Sequence, residues 1–122
     1  MDMPFEHERL EVYQVALDFF DLADVVVEHL RRRRGRTNLA DQLGRAALSI
    51  VNNIAEGAGR FSKADKAHFY TIAIGSATES AAMFDVCRRR HLIAPEVHDR
   101  GKKLLERIVA MLVKLCRALS ES

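Results

Sequence analysis

The sequence predicts an all-α protein folded as an antiparallel up-down-up-down four-helix bundle. Apolar residues recur at the helical spacing of three and four along most of the chain, and no stretch alternates as a strand would. Only two prolines occur, Pro4 and Pro95. Glycines and turn residues divide the chain into four segments joined by short connections, which make consecutive helices antiparallel neighbours. At 122 residues we expect a single domain over residues 1–122.

The composition indicates a folded protein that stays out of membranes. Apolar residues make up 48% of the chain and charged residues 30%, and the net charge is only +2. The apolar runs are too short to span a bilayer, and the start of the chain lacks the apolar core of a signal peptide. Cys87 and Cys116 lie far apart among apolar residues, so we expect reduced thiols in a cytoplasmic protein.

The first helix should run from about residue 8 to about residue 33, with two adjacent apolar stripes. One stripe is expected to face the protomer core and consists of Leu10, Tyr13, Leu17, Phe20 and Val27. The other includes the candidate oligomer-interface residues Val12, Val15, Phe19 and Val26. Together the stripes cover more of the helix than a monomeric bundle needs. We therefore expect a homo-oligomer and predict that glutamates at Val15 and Phe19 would dissolve it.

The second helix is expected over about 39–57, with Asn38 as its N-cap. Gly57 and Gly59 should end it by adopting the left-handed conformation. Ser62 and Asp65 resemble a capping box that starts a third helix over about 63–91. Pro95 suits the first turn of a fourth helix over about 95–119.

The stretch "NNIAEGAGRFSK" invites a functional interpretation and a structural one. A glycine-rich phosphate loop would need a preceding strand and further glycines or a G-K-[ST] sequence, and none of these is present. The structural interpretation is a corner at which one helix ends and the next begins. Asn53, Glu56 and Arg60 would then bind each other and free backbone groups, and we favour this interpretation.

Two segments also carry a family resemblance, "QLGRAALSIVNNIAEGAGRFSK" (42–63) and "FYTIAIGSATES" (69–80). They resemble the four-helix-bundle proteins known as 23S rRNA intervening-sequence proteins, as do "ERLEVYQVA" near the start and the leucine-rich last helix. Where that family often has a proline after S-I, this chain has Val51, so the second helix should kink less. The most specific positions form a structural motif consisting of Asn53, Glu56, Gly57, Gly59, Arg60, Ser62 and Glu79.

The resemblance implies a cytoplasmic helical protein that assembles as a ring, with homopentamers known in the family. Some members are encoded inside bacterial rRNA genes, and distant relatives assist a reverse transcriptase. The family offers no established catalytic residues, so the resemblance assigns none to this chain.

The sequence shows no pattern typical of a catalytic or metal-binding site. The chain contains no Glu-x-x-His, and its five histidines lack ligand spacing, so we expect neither a metal nor another cofactor. An acid/base pair of Glu56 and Glu79 is one interpretation, but Arg45 or Arg60 nearby favours a structural ion-pair network. We expect a non-enzymatic protein.

The arginines are concentrated in two short runs, "RRRRGR" and "RRRH". In an up-down-up-down bundle these runs lie at the same end, while Glu6, Glu8, Glu11 and Glu56 lie at the other. The candidate nucleic-acid-binding residues are Arg31, Arg32, Arg33, Arg34, Arg36, Arg88, Arg89 and Arg90. Eight arginines exceed what two helix dipoles require. We therefore expect binding to RNA or DNA phosphates, with a solvated charged face and an acidic protein partner as alternatives. The alternative function is a protein-interaction scaffold that binds no nucleic acid.

Overall fold

A computed structural model describes residues 5–121 of the chain. After a short 3₁₀ helix, Glu6–Arg9, it contains four α-helices and, over the described range, no strand. The helices are α1 (Glu11–Arg31), α2 (Thr37–Ala58), α3 (Lys63–Arg89) and α4 (Pro95–Glu121). The all-α, four-helix prediction is confirmed. Pro4 and the other residues before Phe5 lie outside the described residues.

The helix boundaries differ slightly from those predicted. α1 ends at Arg31, and α2 already begins at Thr37. Asn38 therefore lies inside the first turn, and the N-cap position belongs to Arg36, whose side chain makes no capping hydrogen bond. α2 runs unbroken through Val51, as expected without a proline. The Ser62 hydroxyl accepts a hydrogen bond from the Asp65 backbone N–H at 3.0 Å, so the predicted start of α3 is confirmed.

Each helix contacts two others: α1 and α3 both pack against α2 and against α4. In the centre, the rings of Phe19 (α1) and Phe84 (α3) lie 5.3 Å apart, and both side chains are fully buried. α4 passes close to Phe84 at Gly101, which is buried. The start of α1 lies beside the end of α4, since Leu10 and Val12 line one groove with Met111 and Leu115.

The interface prediction for α1 is wrong for the four residues that it named. Val12, Val15, Phe19 and Val26 are all at most 4% exposed and form the protomer core, so no second subunit can contact them in this fold. Glutamates at Val15 and Phe19 would therefore place charges in the core and unfold the protomer. Of the stripe that was expected to face the core, Val27 is buried there, whereas Leu10, Tyr13, Leu17 and Phe20 are only half-buried at its edge.

Within residues 5–121, none of the helices combines the length and apolar character that crossing a membrane requires.

Candidate nucleic-acid interface

The eight arginines of the two runs, called the arginine end below, are placed by two helix termini. In the first run, the turn after α1 is closed by backbone bonds from Arg33 N–H to Leu30 O and from Arg36 N–H to Arg33 O, at 2.9 and 3.2 Å. Gly35 has φ +78°, a left-handed conformation that glycine adopts without steric cost. This turn holds Arg32, Arg33 and Arg34 in solvent, where all three are exposed.

The second run lies at the C-terminus of α3, which ends in a Schellman-type cap. The Leu92 N–H donates to the Cys87 carbonyl at 2.8 Å, and His91 adopts φ +57°. Leu92 is 3% exposed, so it anchors the end of the run against the core. Arg89, Arg90 and His91 are exposed, while Arg88 is half-buried.

Two observations place the two runs at the same end of the molecule. Burial raises the pKa of the Cys87 thiol, and the nearby guanidinium of Arg36 opposes that rise, so the start of α2 lies close to the end of α3. In addition, Val26 and His29 of α1 line one groove with Leu92, which follows α3.

Most of these arginines make no direct ion pair with a carboxylate. Arg31 pairs with Asp41 at 2.7 Å, and in the described part of the chain none of the other seven arginines forms an ion pair. Asp85, in the last turns of α3, accepts bonds from Lys102 Nζ at 2.7 Å and His98 Nε2 at 2.8 Å. These bonds hold the pKa of the Asp85 carboxyl below its usual range. Asp85 is thus already paired with two α4 side chains.

The other end of the molecule is less acidic than the sequence suggested. Glu56 pairs with Arg60 at 2.9 Å, and Glu11 pairs with Arg107 at 3.1 Å. Lys66 also lies there. The difference between the ends therefore comes mainly from the arginines and only slightly from the acids.

The corner "NNIAEGAGRFSK" is built differently from the prediction. Gly57 lies inside the last turn of α2, and Gly59 caps the helix with φ −84°, so neither glycine adopts the left-handed conformation. Gly57 is required for space, because a Cβ there would lie 2.8 Å from the Tyr70 ring. The helix end is satisfied instead by Lys66, whose ammonium donates to the Ala58 carbonyl at 2.8 Å. No local sequence signal predicts this role for Lys66, because the contact joins two different helices.

The polar residues of the motif do not form one network. Arg60 binds Glu56 and stacks over the Phe69 ring at 4.6 Å. Asn53 instead donates to the backbone carbonyl and hydroxyl of Ser49, at 2.8 and 3.0 Å.

The Ser49 hydroxyl in turn shares a 2.7 Å hydrogen bond with Ser76, which joins α2 to α3. Glu79 is exposed, and no hydrogen bond or ion pair between residues 5 and 121 links it to Glu56. These contacts do not assemble an acid/base pair.

Other reactive groups are dispersed. Cys87 is buried and Cys116 half-buried, and both are free thiols. No cluster of three or more histidine, cysteine, aspartate or glutamate side chains suited to a metal ion occurs within the described range.

Comparison with known proteins gives one family and one fold. The family model described as 23S rRNA-intervening sequence protein matches residues 8–114. A similar solved structure is that of a protein of unknown function from the S23 ribosomal protein family of Bacteroides thetaiotaomicron. It shares 22% sequence identity with a TM-score of 0.81, over 87% of this chain and 95% of that one. At this identity the likeness extends to the fold alone. No curated protein matches the chain.

Proposed function

Because the chain belongs to the 23S rRNA-intervening sequence protein family, we propose that it is a non-enzymatic protein whose arginine end binds the phosphate backbone of RNA or DNA. The observation that carries the proposal is the set of seven arginines without a carboxylate partner on two neighbouring helix ends. One or two cations per helix end would offset the dipole. The surplus concentrates positive potential on one surface, which attracts a polyanion.

The proposed contact is with phosphates rather than bases. No phenylalanine, tyrosine or tryptophan occurs in residues 28–36 or 85–94, so the arginine end has no platform on which bases could stack. Guanidinium groups bind phosphate oxygens in a bidentate fashion. Binding should therefore depend strongly on salt and weakly on sequence.

We further infer an antiparallel up-down-up-down arrangement and a cytoplasmic ring of subunits. The contact between the start of α1 and the end of α4 supports the antiparallel arrangement. For the ring, we infer that the half-buried stripe of Tyr13, Leu17 and Phe20 replaces the interface residues first predicted, since those four lie in the core. In a ring of parallel subunits, homopentameric by the family resemblance, the arginine ends would form one positive rim.

The test is a fluorescence-anisotropy titration of a structured RNA and a DNA duplex with wild-type protein and the R32S/R33S/R34S variant. Arg31 is left unchanged because it binds Asp41. We expect the triple substitution to weaken binding to both nucleic acids and to lower the salt dependence. The matched control removes three exposed cations elsewhere, Arg9, Lys114 and Arg117. Equal effects of the two variants would contradict a localised site.

The second candidate function is a protein-interaction scaffold. An apolar groove of about 370 Å³ between α3 and α4, lined by Ala81, Leu105 and Val109 among others, favours it. This candidate predicts that the protein binds neither RNA nor DNA, even at low salt. The same titration therefore distinguishes the two functions.

A further inference from the structure

An open groove of about 890 Å³ lies at the corner between α2 and α3, away from the arginine end. Its walls come from the N-terminal 3₁₀ segment, the last turns of α2, the turn at Arg60 and the first turn of α3. Its volume falls within the range of about 300–1,000 Å³ that is usual for binding sites. We call it the corner groove.

The corner groove exposes two aromatic rings, of which Phe5 stacks on the ring of His7 with centroids 5.7 Å apart. Phe61 is 102% exposed and Phe5 is 72% exposed, although both are large apolar side chains. Their neighbour Arg60 stacks on a different ring, that of Phe69. Phe61 is therefore free to pack against a ligand, and Phe5 offers the part of its ring that His7 leaves exposed.

The charge of the corner groove favours a cation. Its lining carries three carboxylates, Glu6, Glu56 and Asp65, and the single guanidinium of Arg60, which Glu56 already binds at 2.9 Å. Lys66, close by, keeps its positive charge while it donates to the carbonyls at the end of α2, so the excess of negative charge at the groove is small. Two carboxylates beside two exposed rings suit a guanidinium group, which pairs with the acids and stacks on aromatic faces.

The chain itself carries such a group on an exposed turn, Arg32–Arg34, which we call the arginine turn. It precedes α2, whereas the corner groove lies at the end of α2. The 22 residues of α2 separate them by about 33 Å at 1.5 Å per residue. A protomer therefore cannot place its own arginine turn in its own corner groove.

We propose that the corner groove binds the arginine turn of a second copy, so that protomers or rings associate head to tail. The contact is heterologous, since two different surfaces meet, and it leaves the sides of the bundle available for the ring. It uses the guanidinium groups that would otherwise bind phosphates. Nucleic acid should therefore release the head-to-tail contact, a consequence that rests on the proposed function, whereas the contact itself does not.

Two complementary variants test the contact without nucleic acid. The turn variant, R32S/R33S/R34S, keeps the corner groove, and the groove variant, E6Q/F61S/D65N, keeps the arginine turn. Sedimentation velocity should show that neither variant forms head-to-tail species alone, whereas an equimolar mixture forms a faster, salt-sensitive species. The loss of one stacking and two charge contacts should weaken association of the groove variant at least about tenfold relative to wild type.

The control is I72S/E79Q/E106Q, which removes one exposed apolar side chain and two exposed carboxylates outside the corner groove. It should associate like wild type. The proposal is overturned if the mixture sediments as the sum of its parts, or if the groove variant associates as strongly as the control. It is also overturned if wild type fails to associate while a free arginine-rich peptide binds the groove, which would assign the groove to another basic protein. If the mixture associates but RNA does not release it, the contact stands and the proposed phosphate binding by the arginine turn fails.

Discussion

Replacing Gly101 by alanine tests the close packing of α4 on Phe84, where two effects oppose each other. Alanine improves helix propensity by about 1 kcal/mol over glycine in a helix interior. However, its Cβ would overlap Cε2 of Phe84 and lie 2.5 Å from Cδ2. The Phe84 ring is fully buried and packs on Phe19, so it has little room to move. Overpacking costs about 1–3 kcal/mol, and an overlap this deep belongs in the upper half of that range, so we expect a net loss of about 1–2 kcal/mol.

Gly75→Ala is the matched control, because Gly75 is an exposed helical glycine whose added Cβ would meet nothing within 4 Å. It should stabilise the protein by up to about 1 kcal/mol. The assay is denaturant unfolding followed by far-UV circular dichroism, at one protein concentration because association shifts apparent stability. Adding Phe84→Leu should recover part of the loss caused by Gly101→Ala. If Gly101→Ala were as stable as Gly75→Ala, the proposed packing of α4 on Phe84 would be refuted.

Two further predictions concern the turn after α3 and the contact between α3 and α4. His91→Gly should raise the free energy of unfolding by about 1 kcal/mol, because a left-handed conformation is costly for any residue with a Cβ; an unchanged unfolding midpoint would contradict this. The bonds to Lys102 and His98 lower the pKa of Asp85 in the folded state. The carboxylate therefore stabilises the fold at pH values above its unfolded-state pKa of about 4. This stabilisation is lost as the pH falls through the lower folded-state pKa. The free energy of unfolding, measured by urea denaturation, should therefore fall more steeply from neutral to acidic pH in wild type than in Asp85→Asn. The same pH dependence in both proteins would count against the contact.

The helices could be predicted because their signals are local. The capping box at Ser62, the proline at the start of α4 and the glycine-containing turns each act within a few residues. The ends of α2 were less predictable. Its last carbonyls are satisfied by Lys66, eight residues beyond Ala58, and no spacing rule links two such positions.

The choice of buried face on α1 could not be made from large apolar residues alone, because both stripes contain them. Ala16 and Ala23 are 0% and 1% exposed and flank the fully buried Phe19. Including these alanines would have centred the core on Phe19. Small residues carry this information because they mark where another helix comes close.

The candidate site was predictable in its position but not in its details. The order of the helices brings the two arginine runs to one end. The bonds that Asp85 makes to α4 and Asp41 makes to Arg31 depend on side chains 10 to 17 residues apart. They reduce the number of acids that oppose the arginines, and sequence spacing does not reveal them.

The most direct test of the account is the slope of log affinity for a structured RNA against log salt. If about five of the seven arginines without ion pairs reach phosphates, the slope should be about −4 to −5, and R32S/R33S/R34S should make it less steep by about two to three. The control variant at Arg9, Lys114 and Arg117 should retain the wild-type slope. No binding at low salt, or the same slope for all three proteins, would contradict the claim that the arginine end binds nucleic acid.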